Sequence, residues 1–155
     1  MVIGVARAGM LGRPVFKFNI SSSAANQNLR TLANAAGYSG VGDVQATILS
    51  GVDIYSTTTA TAALVPGSFP SGAIITLVNN GYISGMGGAG GGGAGYTSYG
   101  SYYGPSDGGA GGTALDASAV SGFTFKLNNT SGSIRGGGGG GGGGGNGCTY
   151  DQYGN

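Results

Sequence analysis

Residues Gly136 to Gly145 are ten consecutive glycines, a stretch that has no side chain to bury and so cannot join a hydrophobic core. Ordering such a run costs roughly 1 to 2 kcal/mol per residue in backbone entropy. Its N–H and C=O groups must therefore find partners on neighbouring backbone, or the run stays a tether. Two shorter glycine-dense segments, Gly85 to Gly95 and Gly108 to Gly112, pose the same alternative. Glycine-rich sequence is more often linker than structure. Here the residues that accompany solvated linkers are scarce, with four prolines and no glutamate, and strand-like sequence punctuates the runs.

An ordered glycine run is expected as a polyglycine II helix, with three residues per turn, a rise of ~3.1 Å and hydrogen-bonding groups pointing sideways. Without Cβ atoms such helices pack closely, adding Cα–H···O contacts to their lateral hydrogen bonds. In Gly85 to Gly95 the three-residue period puts Gly87, Gly90 and Gly93 on one all-glycine edge, with Met86 and Ala89, then Ala94, on the other two. Three runs make a thin bundle with open edges, so completion by further copies is predicted, most simply as a homotrimer.

Composition excludes several function classes. Glycine makes up 38 of the 155 residues, and the six basic residues nearly balance the five acidic ones. That leaves no field to hold nucleic acid or an anionic membrane. Histidine, glutamate and tryptophan are absent; with them go the commonest general base and metal ligand. No catalytic residue, metal site or cofactor is expected, and the chain reads as a non-enzyme. Cys148 is the single cysteine, too few for an intrachain disulfide or a thiolate cluster. The N-terminal twenty residues carry Arg7, Arg13 and Lys17, unlike a signal peptide. The longest uncharged apolar stretch, Ala60 to Val78, is interrupted by Pro66 and Pro70, so no membrane insertion is expected. Glycine loops of dinucleotide or Walker type lack their strand-loop-helix context, and one arginine beside a glycine run is too few for RGG-type RNA binding.

Three regions differ in composition. Residues 1–38 hold four of the six basic residues and read as an N-terminal attachment segment with a short helix. Residues 39–83 are rich in β-branched residues and threonine, and 84–155 form the glycine-rich tip. Leu29, Leu32, Ala33 and Ala36 share one helical face, with Gly37 as the stop. Ala46 to Leu49 and Val52 to Tyr55 read as strands around Ser50-Gly51, and Ala73 to Val78 as another. A weak repeat relates Thr76 through Gly85 to Phe125 through Gly136: an apolar strand, an Asn-Asn turn, an isoleucine, then glycines. Asn-Asn before glycine suits a turn with positive φ, where the chain would reverse or kink. The fold class expected is mainly β with one short N-terminal helix, a small β region being followed by a polyglycine II helix bundle completed as a trimer.

Six of the nine tyrosines lie in two connections, Tyr96 to Asp107 and Asn146 to Tyr153. Tyrosine with serine and glycine is the composition of adaptable binding loops, because the ring supplies large amphipathic area at low entropic cost. If the three glycine runs go outward, back and outward again, both segments meet at one end. Tyr96, Tyr99, Tyr102, Tyr103, Tyr150 and Tyr153 could then stack on sugars or grip a surface protein, with Asp107 and Asp151 accepting hydrogen bonds. Shielding of the bundle end by the same rings is an equal alternative.

At Thr76 through Gly95, the tyrosine-rich loop and the Asn128-Asn129 to Gly145 run, the chain resembles glycine-rich tail-fibre adhesins of tailed bacteriophages. Phe18 to Gly37 similarly resembles the front end of short glycine-rich fibre proteins from phages of aquatic bacteria. The resemblance implies a virion protein that is anchored to other tail proteins through its N-terminal region. At the glycine end it would recognise a host surface glycan or outer-membrane protein, since the distal loops of that family set host range. A purely architectural virion component and a glycine-rich extracellular structural protein are the competing readings.

Overall fold

The computed structural model describes residues 13–96 and 101–144, and they build a stack of parallel rungs. Each rung leaves one strand in each of two four-stranded sheets. The first sheet runs β1 (Val15–Ile20), β4 (Asp43–Ile48), β7 (Ile74–Asn79), β11 (Thr124–Asn128), every neighbour parallel. The second holds β2 (Ala24–Ala25), β5 (Asp53–Tyr55), β8 (Tyr82–Ser84) and β12 (Ser133–Arg135), again parallel. A short third side is made by β3 (Gln27–Asn28) and β6 (Leu64–Val65), and Leu64 bridges on to Leu115.

Strict alternation explains why these segments become strands with one face inside. In β4 the residues Val44, Ala46 and Ile48 are buried, and in β7 Ile75, Leu77 and Asn79. Stacking rungs brings like over like: Val44 over Ile75 in the first sheet, and Ile54 over Ile83 and Ile134 in the second. No rung could bury its inner face alone, so the core is shared between neighbours. The outward row Lys17, Gln45, Thr76, Lys126 ends in lysine on both edge strands, where a charge discourages edge-to-edge pairing.

The short helix forms as expected. α1 (Leu29–Ala35) is capped by Asn28, whose side chain accepts the Thr31 N–H, and it buries Leu29 and Ala33. Gly37 ends it with φ +101°. The return corners each supply an aromatic ring: Tyr38, Phe69 and Phe123 follow one another at 6.0 and 5.5 Å between centroids. The Arg30 guanidinium lies 5.1 Å from the Tyr38 ring centre and 5.3 Å from that of Phe69.

The repeat between Thr76–Gly85 and Phe125–Gly136 becomes two rungs in contact, with a register one residue away from the Asn-Asn alignment. Leu77 pairs with Leu127, and Asn79 reaches Asn129 at 2.7 Å. The corner there needs no positive φ, since among the described residues Asn26 is the non-glycine with one. The chain turns into the next sheet instead of reversing. Asn79 accepts the Gly81 N–H (3.1 Å), and Gly81 sits where a Cβ would press on the Val52 carbonyl and lie 2.6 Å from that of Leu49.

The expected architecture therefore needs correction. No separate polyglycine II helix bundle follows a small β region. The parallel sheets run through the described chain from β1 to β12, and the glycine segments are continuations of β8 and β12 off the last two rungs. The three segments find their partners within one chain, without the further copies of the expected trimer. Every third N–H of 85–94 donates to 135–144, through Gly85, Gly88, Gly91 and Ala94. Ser106, Gly109 and Gly112 donate to 92, 89 and 86, and Gly137, Gly140 and Gly143 donate to 112, 109 and 106. Each segment gives to one neighbour and receives from the other, so the ring of donors closes on itself. The close-packed edge of the first segment is Gly85, Gly88 and Gly91, whose Cβ positions collide with the carbonyls of Gly112, Gly109 and Ser106. The expected edge, Gly87, Gly90 and Gly93, has nothing nearer than 3.1 Å.

Candidate functional site

The glycine ladder fixes what its far end can display. Segment 85–94 runs parallel to 135–144, and 106–112 returns antiparallel between them before entering the third side at Ala114. Ten residues of extended chain carry the tip on the order of 30 Å from the stack. The returning segment is held at both ends. At the base, Ala63 N–H donates to Thr113 and Leu64 N–H to Ala114. There Gly112 lies against Thr58 and Thr59, a Cβ on it reaching 3.2 Å from the Thr58 carbonyl.

At the tip, β9 (Gly95–Tyr96) pairs antiparallel with β10 (Tyr102–Tyr103). Tyr103 lies on Gly95, where a Cβ would strike the phenol oxygen; the glycine makes room for the ring. Tyr102 and Tyr103 are 61% and 52% exposed on this ribbon, and Asp107 is exposed. Of Tyr96 the backbone pairing alone is described, opposite Tyr102. Tyr99, Tyr150, Asp151 and Tyr153 lie outside the described residues, as does Cys148. Ala94 N–H donates to Gly144 at 3.2 Å, so the third segment reaches the same end as the tyrosine ribbon. The structure thus places Tyr102 and Tyr103 on one ribbon, with Asp107 lower on the ladder beside Gly91.

Ser106 is a residue that sequence reasoning passed over. Its hydroxyl accepts the Gly92 N–H (2.7 Å), its N–H donates to the Gly92 carbonyl (2.9 Å), and its carbonyl accepts from Gly143 (3.0 Å). It pins all three segments directly below the ribbon. The available signal was a lone hydroxyl where the tyrosine loop re-enters glycine. Removing one such bond costs about 1 kcal/mol, so Ser106→Ala should speed exchange of the Gly92 amide about fivefold without altering protection in β4 and β7. Unchanged Gly92 exchange would show that the hydroxyl does not hold the tip.

On the first rung, β1 offers an open edge to which no described strand pairs. Phe16, Phe18 and Leu32 are only partly covered there. A cavity of about 250 Å³ opens between Phe18, Ile20, Leu32 and Ala36, and one of about 360 Å³ between Val15, Phe16, Tyr38 and Val41.

Among the described residues no group of acidic, cysteine or histidine side chains has a metal-binding arrangement, and no helix is long and apolar enough to cross a membrane. A family model described as phage tail fibre adhesin Gp38 matches residues 15–154. No curated protein and no solved structure matches the chain.

Proposed function

Because the chain belongs to the phage tail fibre adhesin Gp38 family, with its place in the virion tail and its business at host surface receptors, we propose that it attaches the phage to its host through the tyrosine tip. The observation that carries this reading is the pair Tyr102 and Tyr103, both more than half exposed on a ribbon at the end of a glycine-rich, laterally hydrogen-bonded ladder. Exposed rings held on a fixed backbone lose little entropy on binding. The glycines below them present few side chains, so aromatic contact area is concentrated at the tip. The action is binding without chemistry, and the target is a surface glycan or an outer-membrane protein.

The first rung is the anchoring end in this reading. Its open strand edge and the two apolar cavities beside it suit strand addition and side-chain insertion by another tail protein. The anchoring edge on β1 is then separate from the tip, which leaves the ends of β8 and β12.

Adsorption of phage carrying Tyr102→Ser, measured as the rate of loss of free particles on host cells, tests the tip. A drop of about tenfold is expected, since truncating an exposed aromatic anchor costs on the order of 1 to 2 kcal/mol. Unchanged adsorption with intact particles would leave the chain a purely architectural tail component.

A further inference from the structure

A second surface, on the flank of the stack, has the chemistry of a saccharide site. Alternation in the second sheet turns Ile54, Ile83 and Ile134 inward. The residues between them face outward in two rows read from the register. One is Asp53, Tyr82, Ser133, and the other Tyr55, Ser84, Arg135. Neighbouring strands lie ~4.8 Å apart, so Tyr55 and Arg135 stand about 10 Å from each other across Ser84, the smallest side chain of its row. Tyr55 and Tyr82 are 41% and 44% exposed and Arg135 is exposed.

These groups are already oriented. The Arg135 guanidinium lies 5.7 Å from the centre of the Tyr82 ring, and its Nε donates to the Ser133 hydroxyl at 2.9 Å. The Ser84 hydroxyl donates to Asp53 Oδ1 at 2.9 Å, and the Asp53 N–H donates to the Ser23 hydroxyl at 2.9 Å. Large apolar residues normally face inward, so two half-exposed aromatics diagonal to each other on one flat face are unusual. Beside them stand a cation and a carboxylate about two strands apart.

We propose that this face binds an acidic sugar residue of a cell-surface polysaccharide. The pyranose ring sits over Ser84 with its C–H face against Tyr55, its carboxylate meets Arg135, and a ring hydroxyl donates to Asp53. Guanidinium is the side chain best matched to a carboxylate, and its stacking on Tyr82 fixes the fork before the sugar arrives. The site lies at the base of the glycine segments, since Gly85 N–H donates to the Arg135 carbonyl. It does not rest on the tyrosine tip, and either can fail alone.

The test is titration of the full chain, ring-labelled at tyrosine, with three acidic hexasaccharides, oligogalacturonate, oligomannuronate and oligosialate, read by NMR. Maltohexaose and inorganic phosphate are the controls. At least one acidic probe should shift Tyr55 and Tyr82, at least tenfold more tightly than maltohexaose. Arg135→Gln, an exposed change that leaves the core alone, should weaken that probe about tenfold or more with an unchanged melting temperature. Tyr55→Ala should do the same. No shift from any acidic probe overturns the proposal. So do shifts confined to Tyr102 and Tyr103, an Arg135→Gln chain that binds as before, and phosphate matching the sugars.

Discussion

Gly140→Ala opens the glycine ladder, whereas Gly141→Ala, one residue along the same run, leaves it closed. A Cβ at Gly140 would overlap the Ala89 carbonyl oxygen and stand 2.9 Å from the Gly90 nitrogen, while one at Gly141 meets nothing within 4 Å. Backbone cannot rotate out of the way as a side chain can, so segment 136–144 must move off segment 85–94. That motion breaks Gly88 N–H to Gly138 (2.8 Å) and Gly91 N–H to Gly141 (2.7 Å) and strains Gly140 N–H to Gly109 (2.9 Å). Losing two or three bonds of about 1 kcal/mol each, with the overpacking itself, amounts to about 3 kcal/mol. At Gly141 the change should stay within about 0.5 kcal/mol. The measurement is amide exchange at Gly88, Gly91, Gly109 and Gly137. Protection there should fall on the order of a hundredfold in Gly140→Ala and hold in Gly141→Ala. Equal behaviour of the two variants would mean that the segments do not pack at this spacing.

The second large effect falls on the stack itself, where Asn79→Leu should lower unfolding free energy by about 2 to 4 kcal/mol. Leucine has similar volume, so the cost is not a cavity. Asn79 is fully buried, and its amide serves three partners: it donates to Asn129 Oδ1 (2.7 Å) and the Ser133 carbonyl (3.3 Å), and it accepts the Gly81 N–H (3.1 Å). The buried Gly81 N–H and the half-buried Ser133 carbonyl would be left without it at the corner joining the two sheets, while Asn129 is exposed. Among the described residues, no buried side-chain polar atom lacks a partner, so the native corner carries no such penalty. Urea unfolding followed by far-UV circular dichroism reads the loss. A midpoint within error of the wild type would show that solvent or the Asn129 side chain satisfies the corner unaided.

Both effects depend on the same distinction between local pattern and long-range placement. Helix α1 was legible because an apolar face and a glycine stop lie close together in the chain, while its Asn28 cap was seen only in the structure. Strands β4 and β7 were legible as β-branched runs within a few residues of their ends, while the face that turns inward became visible only in the stack. The recurrence of Asn-Asn and isoleucine marked the last two rungs, though Leu77 over Leu127 set their register one residue away. The first two rungs were invisible as repeats. Val15 pairs with Asp43, Val44 with Ile75 and Ile75 with Phe125, so the period changes at every turn, with a helix inserted in the first, loops alone in the second and the glycine ladder in the third.

What the amino-acid sequence determined alone is a set of demands: glycine runs that must bond sideways, β-branched runs that read as strands, and tyrosines gathered beyond the glycines. Which partners meet those demands was decided by the tertiary structure. Glycine carries no side chain to encode a neighbour, so whether a run bonds another chain or its own is fixed by where β8 and β12 deliver it. They deliver it side by side, with Ser106 and Gly112 closing the third edge. The outward face of Tyr55, Tyr82 and Arg135 was equally hidden, because residues far apart in the chain become neighbours only when parallel strands stack in register.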